Sequence, residues 1–287
     1  MSFINANSLI KWQQQQHCNL GNKVRVLFTS MSGSTGVRKD LVKQHPNSYI
    51  ADSTFFDLET QFADTNSAIS NTMCSKSHFQ IEAQKLGINN DDTLVIYDDY
   101  GNFCASRVWF MFKSVGHKNV YVLDGGLLRW LSLSLPVVNK LNINLRASEY
   151  TAAESTQFQF VATDYVFERI NAPNYHIIDA RALQRFTGQI PEARKHLRSG
   201  HIPSSSSLHY AQLQNENGEL VAYNQLTELF THYDKENTLI MTCGSGVTAC
   251  ILAHVAYTLG FDKLRVYDGS WSEWGASAHL PIETGIA

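Results

Sequence analysis

The chain repeats itself. DTLVIYDD (Asp92–Asp99) matches NTLIMTCG (Asn237–Gly244), and SVGHKNVYVLDGGLLRW (Ser114–Trp130) matches TLGFDKLRVYDGSWSEW (Thr258–Trp274). Gly116 stands against Gly260, Asp124 against Asp268 and Trp130 against Trp274, each pair 144 residues apart in a chain of 287. Pro136 matches Pro281 one residue further on, and YIADSTFFDL (Tyr49–Leu58) resembles HIPSSSSLHY (His201–Tyr210). Similarity at this period makes the chain two copies of one unit, each large enough to bury its own core.

Inside each copy, strand and helix patterns alternate. VRVLFTS (Val24–Ser30) and its counterpart YHIIDA (Tyr175–Ala180) read as strands, as does TLVIYDD. FCASRVWFMFKSVG (Phe103–Gly116) carries apolar residues at helical spacing and stops at a glycine. NVYVLDGG (Asn119–Gly126) is a strand closed by an Asp-Gly turn. Residues 1–20 read as a lead-in helix ending near Gly21, and the second copy opens with a helix over Thr163–Ile170. The expected class is α/β, two tandem domains, each a mainly parallel sheet with helices on both faces. Residues 137–160 are polar and break the pattern, with some strand-like content. The predicted division is an N-terminal domain over 1–140, a linker over 141–160 and a C-terminal domain over 161–287.

Composition narrows the partners. At 44% hydrophobic and 17% charged residues, the chain suits a globular protein with a real core. A net charge of −3 points to neither nucleic acid nor an anionic membrane surface. No apolar run approaches the roughly 20 residues of a membrane span. The N-terminus has neither a basic start with an apolar h-region nor an arginine-rich transit pattern, so the expected location is the cytoplasm. Five cysteines at irregular spacings, with no CxxC, argue against a disulfide framework and a zinc site. No metal or cofactor is expected.

Chemistry concentrates in TLIMTCGSGVTACILAHVAYT (Thr238–Thr258), a short strand, a loop over Cys243–Gly246 and a helix. Gly244 and Gly246 flank Ser245. Glycine tolerates φ > 0, so the loop can curl and aim successive N–H groups at one point. The helix behind adds its own unpaired N–H groups and positive dipole end. A thiol in that cradle is held as thiolate, the reactive form, and the cradle equally suits the anionic sulfur of a persulfide. A cysteine ending a buried strand is ordinarily a small apolar residue. Two glycines beside it at a strand-to-helix turn are not explained by packing. Cys250, two turns into the helix, reads as packing. Arg181, Arg185, Arg194, Lys195 and Arg198 lie in a long loop that is either functional or simply a solvated basic stretch.

Three segments together resemble the tandem-rhodanese sulfurtransferases: CGSGVTAC, DGSWSEW (Asp268–Trp274) and DAR…RF.G…PE.R…SGHIP (Asp179–Pro203). The likeness covers nearly the whole chain and is strongest to the mercaptopyruvate type. It implies two rhodanese-like domains with Cys243 as nucleophile and persulfide carrier, and Ser245 is either a relay for the donor thiol proton or simply a small polar loop residue. It implies that Gly244, Gly246, Val247 and Thr248 line the substrate, and that Arg185 and Arg194 anchor its carboxylate. The implied donor is a small molecule, 3-mercaptopyruvate, which leaves as pyruvate. The implied acceptor is a thiol such as thioredoxin or a low-molecular-weight thiol, or cyanide. In that family a CG-S/T-GV loop goes with mercaptopyruvate and a basic CRKGV loop with thiosulfate. The physics agrees, because thiosulfate carries its charge next to the transferred sulfur, where a basic loop would hold it. Mercaptopyruvate carries a carboxylate a few atoms away, suited to a planar arginine fork.

The first copy has Asp98 where the second has Cys243, so it is expected to be inactive. Phe103 and Arg107 fall at positions that line the family's cleft, although an ion pair within its own helix is the favoured reading of Arg107. Glu59 falls at the family's acidic relay position and Asn71 where a histidine is usual, with His78 out of register. Two other readings stay open: a thiosulfate:cyanide sulfurtransferase, or a non-enzymatic sulfur-relay module. A cysteine phosphatase of related fold is disfavoured, because the arginine it needs six residues after the cysteine is Ala249 here.

Overall fold

In each half, one strand is buried on both faces and the sheet grows outward from it. The computed structural model describes residues 2–17, 23–32 and 45–286. The first half forms strands β1 (Phe3–Ile4), β2 (Val24–Thr29), β3 (Thr54–Phe55), β4 (Thr93–Asp98) and β5 (Val120–Leu123). The second forms β6 (Phe158–Val161), β7 (Tyr175–Asp179), β8 (Ser206–Ser207), β9 (Thr238–Thr242) and β10 (Leu264–Tyr267). The sheet orders are β1-β5-β4-β2-β3 and β6-β10-β9-β7-β8, the same permutation twice, and every pairing is parallel. The central strands β4 and β9 are buried from their second residue onward. This is the continuous apolar pattern of parallel strands covered on both faces.

By internal packing the chain divides into two compact units. One comprises residues 1–64, 74–155 and 215–220, the other residues 65–73, 156–214 and 221–287. Each unit incorporates a short segment from the other half of the sequence, and matched aspartates hold these segments. In the first unit the Leu220 N–H donates to Asp124 at 2.9 Å, and Arg129 pairs with Glu219 at 2.8 Å. In the second the Met73 N–H donates to Asp268 at 2.7 Å. Burial pushes the Asp124 carboxyl up to about 6, while the Leu220 N–H pulls the other way.

The lead-in helix runs over Ala6–His17. Helix was expected from the first residue, but Phe3 and Ile4 instead pair with Val122 and Leu123 as an edge strand. Their apolar side chains then join the sheet rather than a helix end left in solvent. The expected stop near Gly21 lies outside the described residues. In the first unit the helix Ala105–Ser114 is buried from Ala105 to Phe112, and stacked rings of Phe56 and Phe62, with centroids 3.8 Å apart, pack under it with Phe79. A separate core of the first unit gathers Val95, Leu123, Leu127 and Trp130, and in the second unit Ile240, Tyr267, Trp271 and Trp274 take those places.

At the carboxyl end of β4, the Asp98 side chain is wholly buried and gathers the turn that follows. Its Oδ1 accepts the N–H groups of Tyr100 (3.0 Å) and Asn102 (2.8 Å). Its Oδ2 accepts those of Phe103 (2.7 Å), Cys104 (2.7 Å) and Ala105 (2.8 Å). Five donors closing on one carboxylate make this residue a fastener. Removing it leaves several buried N–H groups without an acceptor, at about 1–3 kcal/mol each before relaxation. Asp98→Ala is therefore expected to lower the unfolding free energy by at least about 3 kcal/mol in urea titrations. Asp98→Asn, which keeps an acceptor, should lose clearly less.

Candidate active site

Strand register places Cys243 where the first repeat has Asp98. Thr93 pairs with Val24 at the start of β4, and Thr238 with Tyr175 at the start of β9, so the two strands count forward in step. Gly246 at φ 73° takes the left-handed turn that Gly101 takes at φ 75°. The helix Ala249–Thr258 then begins. The decisive difference lies in the loop amides. Among the described residues, the N–H groups of Gly244, Ser245, Val247 and Thr248 donate to no acceptor of the protein. The first repeat closes the counterparts of Ser245, Val247 and Thr248, which are Tyr100, Asn102 and Phe103, on the Asp98 carboxylate, whereas the second puts a sulfur at the same position.

The carbonyls of this loop are turned the other way and fastened by the segment DGSWSEW. The Trp271 N–H donates to the Cys243 carbonyl at 2.9 Å. The Gly244 carbonyl accepts the Ser272 N–H at 3.0 Å and the Ser272 Oγ–H at 2.5 Å. The Cys243 N–H itself donates to Ser270 Oγ at 3.2 Å, and Ser270 Oγ–H donates in turn to the Tyr267 carbonyl at 2.8 Å. Ser270 sits at φ 47°, a conformation that a serine adopts only under constraint. The first repeat has Gly126 at the matching position with φ 53°. The second repeat keeps the strained backbone and adds the hydroxyl that holds the cysteine amide.

Cys243 is recessed, 2% exposed, with Gly244, Ser245 and Thr248 half-buried beside it. The absence of a side chain at Gly244 leaves room. A methyl group built there would meet only the Arg185 guanidinium, at 3.6 Å from Nη2. Arg185, one-third exposed, is oriented by Glu192, to which Nε donates at 3.2 Å and Nη2 at 2.6 Å. Arg194 Nη2 donates to Ser272 Oγ at 2.7 Å and to the Gly244 carbonyl at 3.4 Å. The structure thus brings both predicted arginines to the cysteine loop. Ser245 has no hydrogen-bond partner in the protein among the described residues. Val247 is buried.

Glu192 also binds Arg181 Nη1 at 2.8 Å. Arg181 is fully buried, doubly bonded to Asp179, donating to the Gly200 carbonyl and lying 4.1 Å over the Trp271 ring. Asp179, Arg181 and Glu192 all fall in the motif quoted above, but the sequence does not say that they form one charge network. His209 is a second omission. It precedes the short 3-10 turn Tyr210–Leu213, and burial together with the Arg185 charge pushes its imidazole below the ordinary range. Nothing in the sequence pattern marks it.

The other residues singled out in the sequence have these surroundings. Burial pushes the Cys74 thiol up to about 12, and burial with the Asp98 charge pushes Cys104 well above its ordinary value, which disfavours the thiolate at both. Cys250 Sγ–H donates to the Gly246 carbonyl at 3.3 Å from within the helix. The four cysteines of the described residues are free thiols. Glu59 accepts the N–H and hydroxyl of Ser32, at 2.7 and 3.1 Å, in the first unit. Asn71 lies in the segment 65–73 of the second unit with φ 65°. His78 Nε2 bonds the Gln61 carbonyl at 2.8 Å. Phe103 packs beside Tyr100, and Arg107 is buried inside the first unit. Among the described residues no cluster of His, Cys, Asp or Glu could hold a metal ion, and no helix is long and apolar enough to cross a membrane.

The fold and loop just described are those of a known family. The model of the rhodanese-like domain matches residues 46–133 and again 162–277. The chain is 34% identical over 268 residues to the Arabidopsis thaliana mitochondrial thiosulfate/3-mercaptopyruvate sulfurtransferase 1, covering 86% of this chain and 70% of that one. It is 32% identical to the 3-mercaptopyruvate sulfurtransferase of Escherichia coli K12, covering 91% and 92%. The crystal structure of SseA from Escherichia coli, described as a 3-mercaptopyruvate sulfotransferase, superposes with a TM-score of 0.78 at 28% identity, covering 95% and 100%. The chain belongs to the rhodanese-like family, with two such domains in tandem.

Because Glu192 is shared, its loss acts on both arginines. Glu192→Ala removes one of the two carboxylates facing the buried Arg181. The expected cost is about 3 kcal/mol of unfolding free energy, the scale of breaking a buried ion pair from one side. Denaturant unfolding would measure it, and a loss below about 0.5 kcal/mol would show that the network carries no stability.

Proposed function

We propose that this protein is a sulfurtransferase that carries sulfur as a persulfide on Cys243, taking it from 3-mercaptopyruvate and delivering it to a thiol or to cyanide. The carrying observation is the set of loop N–H groups without a protein acceptor around a cysteine, where the sister repeat binds a carboxylate. Such donors stabilise charge as it develops on sulfur and need no rearrangement to do so. The Cys243 thiolate attacks the donor sulfur, and the carbon–sulfur bond breaks. Pyruvate departs as its enolate and takes up a proton, and the outer sulfur stays on Cys243 until an acceptor thiolate or cyanide removes it. This is covalent catalysis, dividing one transfer into two easier displacements.

Arg185 and Arg194 are the proposed anchors for the donor carboxylate. Glu192 and Ser272 orient them, and both approach Gly244. Ser245, with its hydroxyl unengaged, is the proposed relay for the donor thiol proton. Gly244, Gly246, Val247 and Thr248 supply the loop surface and amides. The first repeat, with Asp98 tied to five N–H groups, is proposed to be inactive. The free thiols suit a reducing compartment, and cytoplasm is the location we propose, with thioredoxin or a small thiol as acceptor.

One observation favours a second donor. Both guanidinium groups stand at Gly244, immediately beside the cysteine, so a compact dianion such as thiosulfate could also be held there. The ratio of kcat/KM for the two donors separates the readings. The proposal expects mercaptopyruvate to be preferred, and a higher value for thiosulfate overturns that choice.

Incubation with mercaptopyruvate is expected to raise the intact mass by about 32 Da, one sulfur atom, in the wild type and not at all in Cys243→Ser. Arg194→Ala is expected to raise KM for mercaptopyruvate by about tenfold, the equivalent of 1.4 kcal/mol, with loading by small uncharged donors less affected. Equal loss with every donor would assign this arginine to the fold alone.

A further inference from the structure

The first unit holds a cavity of about 230 Å³ at the carboxyl ends of β2 and β4. Phe28, Ser30 and Asp99 come from the strand ends, Leu127 and Leu131 from the helix Gly126–Ser132 that follows β5, and Tyr49 from the loop before β3. The repeat shows what this place is built to hold. Strand register matches Ser30 to Arg181 and Asp99 to Gly244, and the repeat offset matches Leu127 to Trp271. In the second unit the same location is filled from within the chain. The Arg181 guanidinium lies 4.1 Å over the Trp271 ring, paired with Asp179 and Glu192. In the first unit a short serine and a leucine replace the arginine and the tryptophan, and space remains.

The negative charge persists there, on a different residue. Asp99 Oδ2 accepts the Ser30 hydroxyl at 3.0 Å. Its Oδ1 is buried and, among the described residues, has no hydrogen-bond partner. No cation of the described residues pairs with it. Burial and the neighbouring Asp98 charge push the carboxyl up to about 6, so at neutral pH a largely ionised carboxylate faces the cavity, which His45 also lines, with no ion-pair partner among the described residues. An uncompensated charge in poorly solvated surroundings exerts a strong field on whatever enters.

We propose that this cavity is a binding site for a small planar cation, an amidinium or guanidinium on a short apolar body, held by Asp99 and Ser30 against the Phe28, Tyr49 and Leu127 side chains. The ligand would occupy the first repeat as the Arg181 guanidinium occupies the second. Room for roughly eight water molecules at about 30 Å³ each limits the guest to about ten heavy atoms.

Benzamidinium is a suitable probe. Isothermal titration of the full-length protein at pH 7.5 is expected to show saturable 1:1 binding. Asp99→Asn should weaken it at least tenfold, and neutral benzamide and anionic benzoate should not bind. Leu127→Trp, which restores the bulk found in the second repeat, should block binding by filling the slot, and Ser30→Ala serves as a milder check if that variant folds poorly. Sulfur loading of Cys243 by mass reports that each variant is intact. Absence of saturable binding, equal binding of benzamide, or unchanged affinity in Asp99→Asn would each overturn the proposal.

Discussion

A turn from a buried strand into a helix leaves several backbone N–H groups pointing the same way, and they require a negative partner. The chain resolves that requirement twice. In the first repeat the Asp98 carboxylate absorbs five N–H groups and the turn becomes inert. In the second a thiol occupies the same register position, and the amides of Gly244, Ser245, Val247 and Thr248 keep their donors available. One geometry thus gives a structural fastener in one copy and, on the function proposed above, a place for anionic sulfur in the other. A carboxylate satisfies the turn permanently, whereas a sulfur satisfies it only in the charged states that the reaction visits.

Keeping donors unpaired in a half-buried loop costs stability, and the surroundings offset this. DGSWSEW fastens the Cys243 and Gly244 carbonyls through Trp271 and Ser272, so these two peptide planes are fixed. Ser270 accepts a left-handed backbone, a strain of about 1–3 kcal/mol, and in exchange its hydroxyl receives the Cys243 N–H. Glu192 links the buried Arg181 to the half-buried Arg185, joining the charge network inside the domain to a guanidinium at its surface. Strain and unpaired groups gathered at one point are the pattern of a functional site.

Much of this was legible in the sequence because it repeats. The duplication alone predicts two like domains, and the matching strand orders follow from it. The same alignment puts Asp98 opposite Cys243, and the glycines announce the curled loop. The exchanged segments 65–73 and 215–220 were not legible, because no periodicity distinguishes a segment that packs with its own half from one that does not. Edge strand β1 was hidden for a related reason. Two residues carry no period, and only their pairing with Val122 and Leu123 defines them. Arg185 and Arg194 were found through the family's motif and not through spacing. Glu192, Ser270 and Ser272 stood in the quoted motifs without roles, since a hydrogen bond to a loop carbonyl leaves no trace in residue type. His209 left no signal at all.

The central claim is that these amides bind the charged sulfur. Amide proton shifts of Gly244, Ser245, Val247 and Thr248, followed by NMR as mercaptopyruvate loads Cys243, test it most directly. The account predicts that these amides move downfield together on persulfide formation, while those of Tyr100, Asn102 and Phe103, already bound to Asp98, stay in place. Complete loading by mass with the four loop amides unmoved would contradict it.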